Sequence, residues 1–335
     1  VHTRRIHLEN LRGHGAEARL HEAATIISRG GLVAFPTETV YGLGANALDR
    51  DAVLKIFEAK QRPAWDPIIV HASNLDMLRS LVREWPEKAQ ILAAKFMPGP
   101  LTLLLPKRDI IPNECTAGRE KVGVRIPANP VALALISAAG TPIAAPSANR
   151  FGSTSPTTAA HVLRDLDGRI DAVLDGGECT VGVESTVLDP SLDPPMIYRP
   201  GGISRERIEA VIGPVKIAEK NLANDKPPEG LESPGLGIRH YAPRAKVVLV
   251  ESELEMKRAA EGDRIGLMLP DGWDGADNAI VYRWGSIHQP ETLARRLYFG
   301  LRWLDEQGVN VIVCPLPAAT GLGLAVRDRL LKAAK

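Results

Sequence analysis

Short apolar runs alternate with stripes of apolar residues at helical spacing along most of this chain. Ala18, Leu20, Ala23, Ala24, Ile26 and Ile27 predict an amphipathic helix over residues 15–29 that leads into a Gly30-Gly31 turn. The run Gly31-Leu32-Val33-Ala34-Phe35 then reads as a buried strand. The same reasoning predicts helices over 51–60, 74–82, 130–139 and 157–165, the second capped by Ser73 or Asn74. Strands are predicted over 68–70, 101–105, 122–126, 143–145, 172–174 and 185–188, and Pro63 forces an irregular loop before the first of these. Strands and helices thus mix through residues 15–212, the pattern of an α/β or α+β domain.

The pattern lapses over residues 216–244, where prolines, glycines and charges replace apolar periodicity and a linker is expected. It returns with strands over 247–250, 265–269, 279–282 and 311–314 and helices over 252–260, 291–307 and 325–334. The expected division is a first domain over 15–215, a linker over 216–245 and a compact α/β domain over 246–335.

A length of 335 residues accommodates two domains, and 44% hydrophobic with 24% charged residues is ordinary for a soluble globular protein. Lys plus Arg (41) nearly equals Asp plus Glu (40), so bulk charge does not drive the chain onto nucleic acid or membrane. Cys115, Cys179 and Cys314 lie far apart without metal-ligand spacing, which argues against a zinc site or a disulfide framework and suits a cytoplasmic location. No 18-residue apolar run or signal-peptide core occurs, so no membrane association is expected. Aromatic residues make up 4%, too few for a platform that stacks single-stranded nucleic acid.

Polar groups collect where predicted strands end, the place where α/β proteins hold ligands. Pro36-Thr37-Glu38-Thr39-Val40-Tyr41-Gly42-Leu43-Gly44 sets two hydroxyls, a carboxylate and a phenol after the first strand, followed by glycines that permit a sharp turn or a close backbone approach. Taken alone, this segment fits equally well a polar turn whose hydroxyls satisfy nearby backbone groups. Lys60-Gln61-Arg62-Pro63 offers a point charge and a planar fork suited to phosphate or carboxylate, and Asp66 and His71 flank the next strand. Arg125 sits on the apolar strand of Lys121-Val122-Gly123-Val124-Arg125, where a cation must reach a solvent-filled cleft or meet an anion. Ala145-Pro146-Ser147-Ala148-Asn149 leads into Ser153-Thr154-Ser155-Pro156, a hydroxyl-rich turn; Ser147 lacks a Gly-x-Ser-x-Gly elbow and is better suited to bonding a ligand than to attacking one. Val183-Glu184-Ser185-Thr186-Val187 and Tyr198-Arg199-Pro200-Gly201 complete the set. Neither a Walker-type loop nor a Gly-x-Gly-x-x-Gly fingerprint is present. Lys60, Arg62, Arg125 and Arg199, with hydroxyls repeatedly at strand ends, imply one polyanionic ligand in one cleft, and a nucleotide is the natural candidate.

The ordered series Pro-Thr-Glu-Thr-Val-Tyr-Gly-Leu, Lys-x-Arg-Pro, Pro-Ile-Ile-Val-His, Pro-Gly-Pro-Leu-Thr, Val-Arg-Ile-Pro, Pro-Ser-Ala-Asn and Glu-Ser-Thr-Val resembles the YrdC-like domain. Ser233-Pro234-Gly235 with His240-Tyr241-Ala242-Pro243 resembles the linker of the longer two-domain form, the threonylcarbamoyl-AMP synthases. The resemblance covers nearly the whole chain. It implies a twisted mixed α/β sheet with a concave, positively charged groove, followed by a small Rossmann-like α/β domain. The implied reaction joins L-threonine, bicarbonate or carbon dioxide, and ATP, with magnesium accompanying the nucleotide and no direct protein metal motif. Pyrophosphate leaves, and downstream tRNA-modification proteins receive the product. By position, Thr39, His71, Arg125, Ala145 and Ser185 look like threonine contacts. Arg62, Asp66, Lys121, Ser147, Ser155, Arg199 and Tyr241 look like nucleotide contacts, with Lys60 and Arg62 as the catalytic cations near the phosphates and Tyr241 on a lid. This chain has Asp66 where the family commonly has asparagine, and Lys121 where a small hydroxyl residue is common. The competing class is a double-stranded RNA-binding module using the same basic groove. Carbamoyl transfer, as in hydrogenase-maturation proteins with a related domain, lacks here the cysteine pairs and acylphosphatase segment of those proteins.

Overall fold

The computed structural model describes residues 2–8, 11, 15–218 and 240–335. Most of the expected linker, including Ser233-Pro234-Gly235, lies outside the described residues.

The first unit opens with β1 (Arg4–His7), α1 (Ala16–Ser28), β2 (Val33–Phe35) and β3 (Gly42–Asn46). It continues through α2 (Arg50–Lys60), β4 (Ile69–His71), α3 (Leu75–Arg79), α4 (Glu87–Phe96), β5 (Leu101–Pro106), α5 (Asn113–Thr116) and β6 (Lys121–Arg125). Next come α6 (Pro130–Ala139), β7 (Ile143–Ala144), α7 (Ala159–Leu166), β8 (Ala172–Asp175), β9 (Thr186–Asp189), β10 (Met196–Arg199), α8 (Arg205–Ile212) and β11 (Lys216–Ile217). Its eleven described strands form one mixed sheet, ordered β1-β8-β2-β3-β7-β4-β6-β5-β9-β10-β11. The second unit holds β12 (Lys246–Val250), α9 (Glu253–Ala259), β13 (Ile265–Pro270), β14 (Ile280–Gly285), α10 (Pro290–Glu306), β15 (Val311–Pro315) and α11 (Gly323–Ala333). Its sheet, ordered β12-β15-β13-β14, is parallel at every pairing.

The unbroken apolar runs of the large sheet follow from its being covered on both faces. Alternate residues of one strand join different cores: Val33 and Phe35 of β2 pack with Ile27, Leu135 and Leu174, while Ala34 packs with Leu43, Val70 and Val124. The first polar motif ends in β3, not in a turn, and the strand's glycines serve packing: a Cβ on Gly44 would lie 2.8 Å from both Ile143 and Phe35. Local chemistry caps the helices, at Asn74 as expected. Asn74 accepts from the Met77 N–H at the start of α3, Ser252 from Glu255 at α9, and Gly140 ends α6 in the left-handed region. Residues 216 and 217, expected in the linker, form the edge strand β11 beside β10.

The two units share a core. Val40, Val183 and Tyr241 pack with Trp284, Leu297, Tyr298, Leu301 and Leu330 of the second unit. Gly182, at φ +82°, lets the first unit press against α10, since a Cβ there would meet the Arg295 backbone at 2.4 Å. Among the described residues no helix is long and apolar enough to cross a membrane.

Candidate active site

The loop after β2 is organised by one hydroxyl. Thr37 Oγ1 donates to the Val40 carbonyl (2.7 Å) and accepts from the Thr39 and Val40 N–H groups (3.1 and 3.2 Å), a side-chain turn that fixes the Thr39 hydroxyl 2.8 Å away. Arg125 arrives from the end of β6, beside His71 at the end of the parallel strand β4. It is 3% exposed. Its Nη1 donates to Thr39 Oγ1 (3.1 Å), its Nε to the Gly99 carbonyl (3.2 Å), and its Nη2 lies 2.7 Å from Glu38 Oε1. Glu38, which the sequence left without a role, is thus the counter-charge that holds the guanidinium in place. Tyr41 is scaffold: its buried hydroxyl donates to the Gly177 carbonyl at 2.8 Å. Burial, and then Arg125, lower the His71 pKa to about 3, so its imidazole is neutral near pH 7.

Arg62, Ser147, Arg199 and Tyr241 line the same cleft. The Arg62 guanidinium is fixed by the Asp66 and Pro67 carbonyls (3.1 and 2.7 Å) and by Asp66 Oδ2 (2.9 Å). Arg199 donates to the carbonyl and hydroxyl of Ser185, both at 3.1 Å, and Ser185 Oγ lies 2.8 Å from Thr102 Oγ1. One cleft is lined by Thr39, His71, Arg125, Ala145 and Ser185 together with Arg62, Ser147, Arg199 and Tyr241. Tyr241 is buried and holds a left-handed backbone (φ 64°). That region is sparsely populated by non-glycine residues.

Four expected site residues stand off the cleft wall. Lys60 is 1% exposed, and its ammonium donates to the Ser147 carbonyl (2.5 Å) and to the Asn149 carbonyl. It braces the loop that carries Ser147, and burial, then Arg62, push its pKa well down. Asp66 lies behind Arg62 as its partner. The Ser155 hydroxyl donates to Glu184 (2.6 Å). Lys121 is at the opposite end of β6 from Arg125, bound to Asp189 (2.5 Å) and Ser191 (2.9 Å). Conversely, Thr37, Glu184 and His240 line the cleft without having been assigned a role from the sequence. For Glu184 a signal existed: a carboxylate two residues before a buried strand needs a partner when it is itself buried.

The family described as telomere recombination, which groups Sua5, YciO and YrdC, matches residues 25–201, and the threonylcarbamoyl-AMP synthase C-terminal domain matches residues 203–335. A threonylcarbamoyl-AMP synthase of Pyrococcus abyssi is 45% identical over 97% of this chain and 96% of its own length. The chain belongs to the threonylcarbamoyl-AMP synthase family. A Bacillus subtilis threonylcarbamoyl-AMP synthase is 46% identical over 95% of this chain and 93% of its own. A crystal structure of P. abyssi Sua5 complexed with L-threonine matches with a TM-score of 0.89 at 44% identity, over 100% of this chain and 98% of that one. The fold expected from the resemblance, a mixed α/β sheet followed by a smaller parallel α/β unit, is the fold observed.

Proposed function

We propose that this chain is a threonylcarbamoyl-AMP synthase that condenses L-threonine, bicarbonate or carbon dioxide, and ATP, and releases pyrophosphate. One observation carries the reading: a single cleft brings Thr39, His71 and Arg125 together with Arg62, Ser147 and Arg199. Arg125, already fixed by Glu38 and Gly99, is the group to hold the threonine carboxylate. Neutral His71 offers a lone pair to the threonine side, and Ala145 leaves room for substrate near backbone. Arg62 and Arg199 face the phosphates. The threonine amine, once deprotonated, attacks bicarbonate carbon and water is lost, giving a carbamate. A carbamate oxygen then attacks the α-phosphorus and pyrophosphate departs, a step that needs positioning and charge stabilisation rather than an enzyme nucleophile.

Magnesium belongs to this reading as part of the nucleotide substrate. Among the described residues no group of three or more His, Cys, Asp or Glu side chains is placed to hold a cation, and Glu38, Asp66 and Glu184 are each engaged by arginine. The arginine-paired carboxylates fit a cleft that receives the ion on phosphate oxygens. The reading places the chain in the cytoplasm, with tRNA-modification proteins consuming the adenylate.

A duplex-RNA surface is disfavoured by the same geometry. Arg62, Arg125 and Arg199 are buried, whereas phosphate-tracking proteins present exposed cations. The deciding assay is pyrophosphate release from ATP, which is expected to require both threonine and bicarbonate. Release that proceeds equally without threonine would overturn the proposal.

A further inference from the structure

Glu184 presents a puzzle at this cleft. Its carboxylate is 6% exposed and lines a cavity that, on the reading above, takes in a polyanion. An uncompensated charge there would repel phosphate or draw Arg199 away from it. The compensation comes from the second unit. Arg329 of α11 donates from Nε to Glu184 Oε2 (2.6 Å), and the Tyr298 hydroxyl of α10 lies 3.0 Å from both carboxylate oxygens. Burial pushes the Glu184 carboxyl upward, but Arg329, then Arg199 and the Ser155 hydroxyl, more than offset it and hold it at about 2. Arg329 is fully buried and does not line the cleft itself. Its guanidinium also lies 5.1 Å from the centre of the Tyr241 ring, beneath a wall residue with a strained backbone. Asp328 holds the far side of the same guanidinium at 2.7 Å, and Lys332 in turn donates to Asp328 at 2.9 Å.

We infer that Arg329 is a positioning residue for the nucleotide: from the second unit it neutralises Glu184 and supports Tyr241, so that the nucleotide side of the cleft is completed only when α11 is docked. The inference rests on the synthase reading and on the nucleotide lying along Arg62, Arg199 and Tyr241. It assigns the second unit a direct electrostatic part in ATP recognition, with no contact to ATP.

The test compares the full-length wild type with Arg329→Met, Tyr298→Phe and the double variant Glu184→Gln/Arg329→Met. Pyrophosphate release gives the KM for ATP at saturating threonine and bicarbonate, and calorimetry gives the threonine Kd. Arg329→Met is expected to raise the ATP KM by about tenfold or more while threonine affinity stays within about twofold. The double variant, which removes the charge with its partner, is expected to bring the ATP KM back to within about threefold of wild type. Equal weakening of ATP and threonine, or a double variant no better than Arg329→Met, would overturn the inference. If Arg329→Met does not fold, Tyr298→Phe keeps the question open to decision: it removes one donor, and a rise of about threefold in ATP KM alone is expected. An unchanged KM would then reject the idea. Absence of threonine-dependent release in the wild type itself would strike the synthase reading instead.

Discussion

On the Arg125 side of the cleft every named contact is made inside the first unit, by Glu38, Thr39 and Gly99 around one guanidinium. On the Glu184 side the carboxylate is held by Ser155 from the first unit but by Tyr298 and Arg329 from the second. Both sides hold a buried Arg–Glu pair beside a ligand site, and removing one partner of such a pair leaves a buried charge uncompensated. The Arg125 pair is built once the loop and β6 fold together. The Glu184 pair exists only after docking of a separate sheet. The first side is therefore preformed recognition machinery, and the second ties the cleft to the contact between two units.

Arg125→Ala breaks the first side most severely. A charge-assisted contact is lost and Glu38 is left facing the incoming carboxylate, so threonine affinity is expected to fall about 100-fold by calorimetry. Stability should fall by about 3 kcal/mol in urea unfolding. The double variant Glu38→Gln/Arg125→Ala separates the two effects: it should recover most of the stability and little of the threonine binding. Threonine binding retained by Arg125→Ala would reject the carboxylate assignment.

Acid offers a second way to tell the sides apart. His71 is neutral when folded, with its pKa near 3 against an ordinary value of 6.5, so the unfolded chain binds the extra proton first. Stability from this group is complete above pH 6.5 and declines as pH falls toward 3, with a slope approaching about 1.4 kcal/mol per pH unit. Buried His161 behaves likewise. Glu184, held at about 2 against 4.5, contributes above pH 4.5 and loses that contribution toward pH 2. Urea unfolding between pH 6.5 and 4.5 should therefore lose part of its pH slope in His71→Gln, with buried His161 and His240 keeping the rest, and be left alone by Glu184→Gln. The reverse order would mean that the two groups have been misplaced.

Arg125 was legible in the sequence because an arginine on an apolar strand must face a cleft or an anion. The same logic fails for Lys60, whose burial is equally well explained by backbone carbonyl acceptors as by phosphate, and the structure supplies Ser147 and Asn149. β3 was illegible because Gly-Leu-Gly-Ala-Asn has no β-branched residue, and its glycines look like a turn until Phe35 and Ile143 are seen packed on them. α4 is legible in the same terms: Ala89, Leu92, Ala93 and Phe96 repeat at helical spacing and are its buried face. The contacts of Tyr298 and Arg329 with Glu184 span 114 and 145 residues, and no local pattern announces them.

Asp66 probes a smaller electrostatic difference on the Arg62 side. The carboxylate pairs with a guanidinium that two backbone carbonyls already hold. Asp66→Asn keeps a hydrogen-bonding group in place and removes one negative charge behind the proposed phosphate site. The ATP KM should fall by about threefold, with threonine affinity unchanged. A rise in KM would mean that the charge itself, through Arg62 or a bridging cation, serves the nucleotide.

Lys121 carries the smallest expected effect and the sharpest contrast. β6 holds Lys121 at one end and Arg125 at the other, four residue steps at roughly 3.3 Å each, so their backbones are about 13 Å apart. The resemblance assigned both to ligands, yet the Lys121 ammonium is engaged by Asp189 and Ser191. Asp189 also accepts from the Ser191 N–H (3.0 Å) and hydroxyl (2.7 Å), so removing the lysine does not leave it without donors. The pair is one-third exposed on the lysine side, which limits its worth to about 1 kcal/mol or less. Lys121→Ala is thus expected to lower stability slightly, and high salt should reproduce part of that loss in the wild type. Its ATP KM should stay within about twofold of wild type, since the charge it removes is already paired and lies at the far end of the strand. A tenfold rise in KM would require the Lys121 side chain to leave Asp189 when nucleotide binds, and would make the two ends of β6 parts of one site.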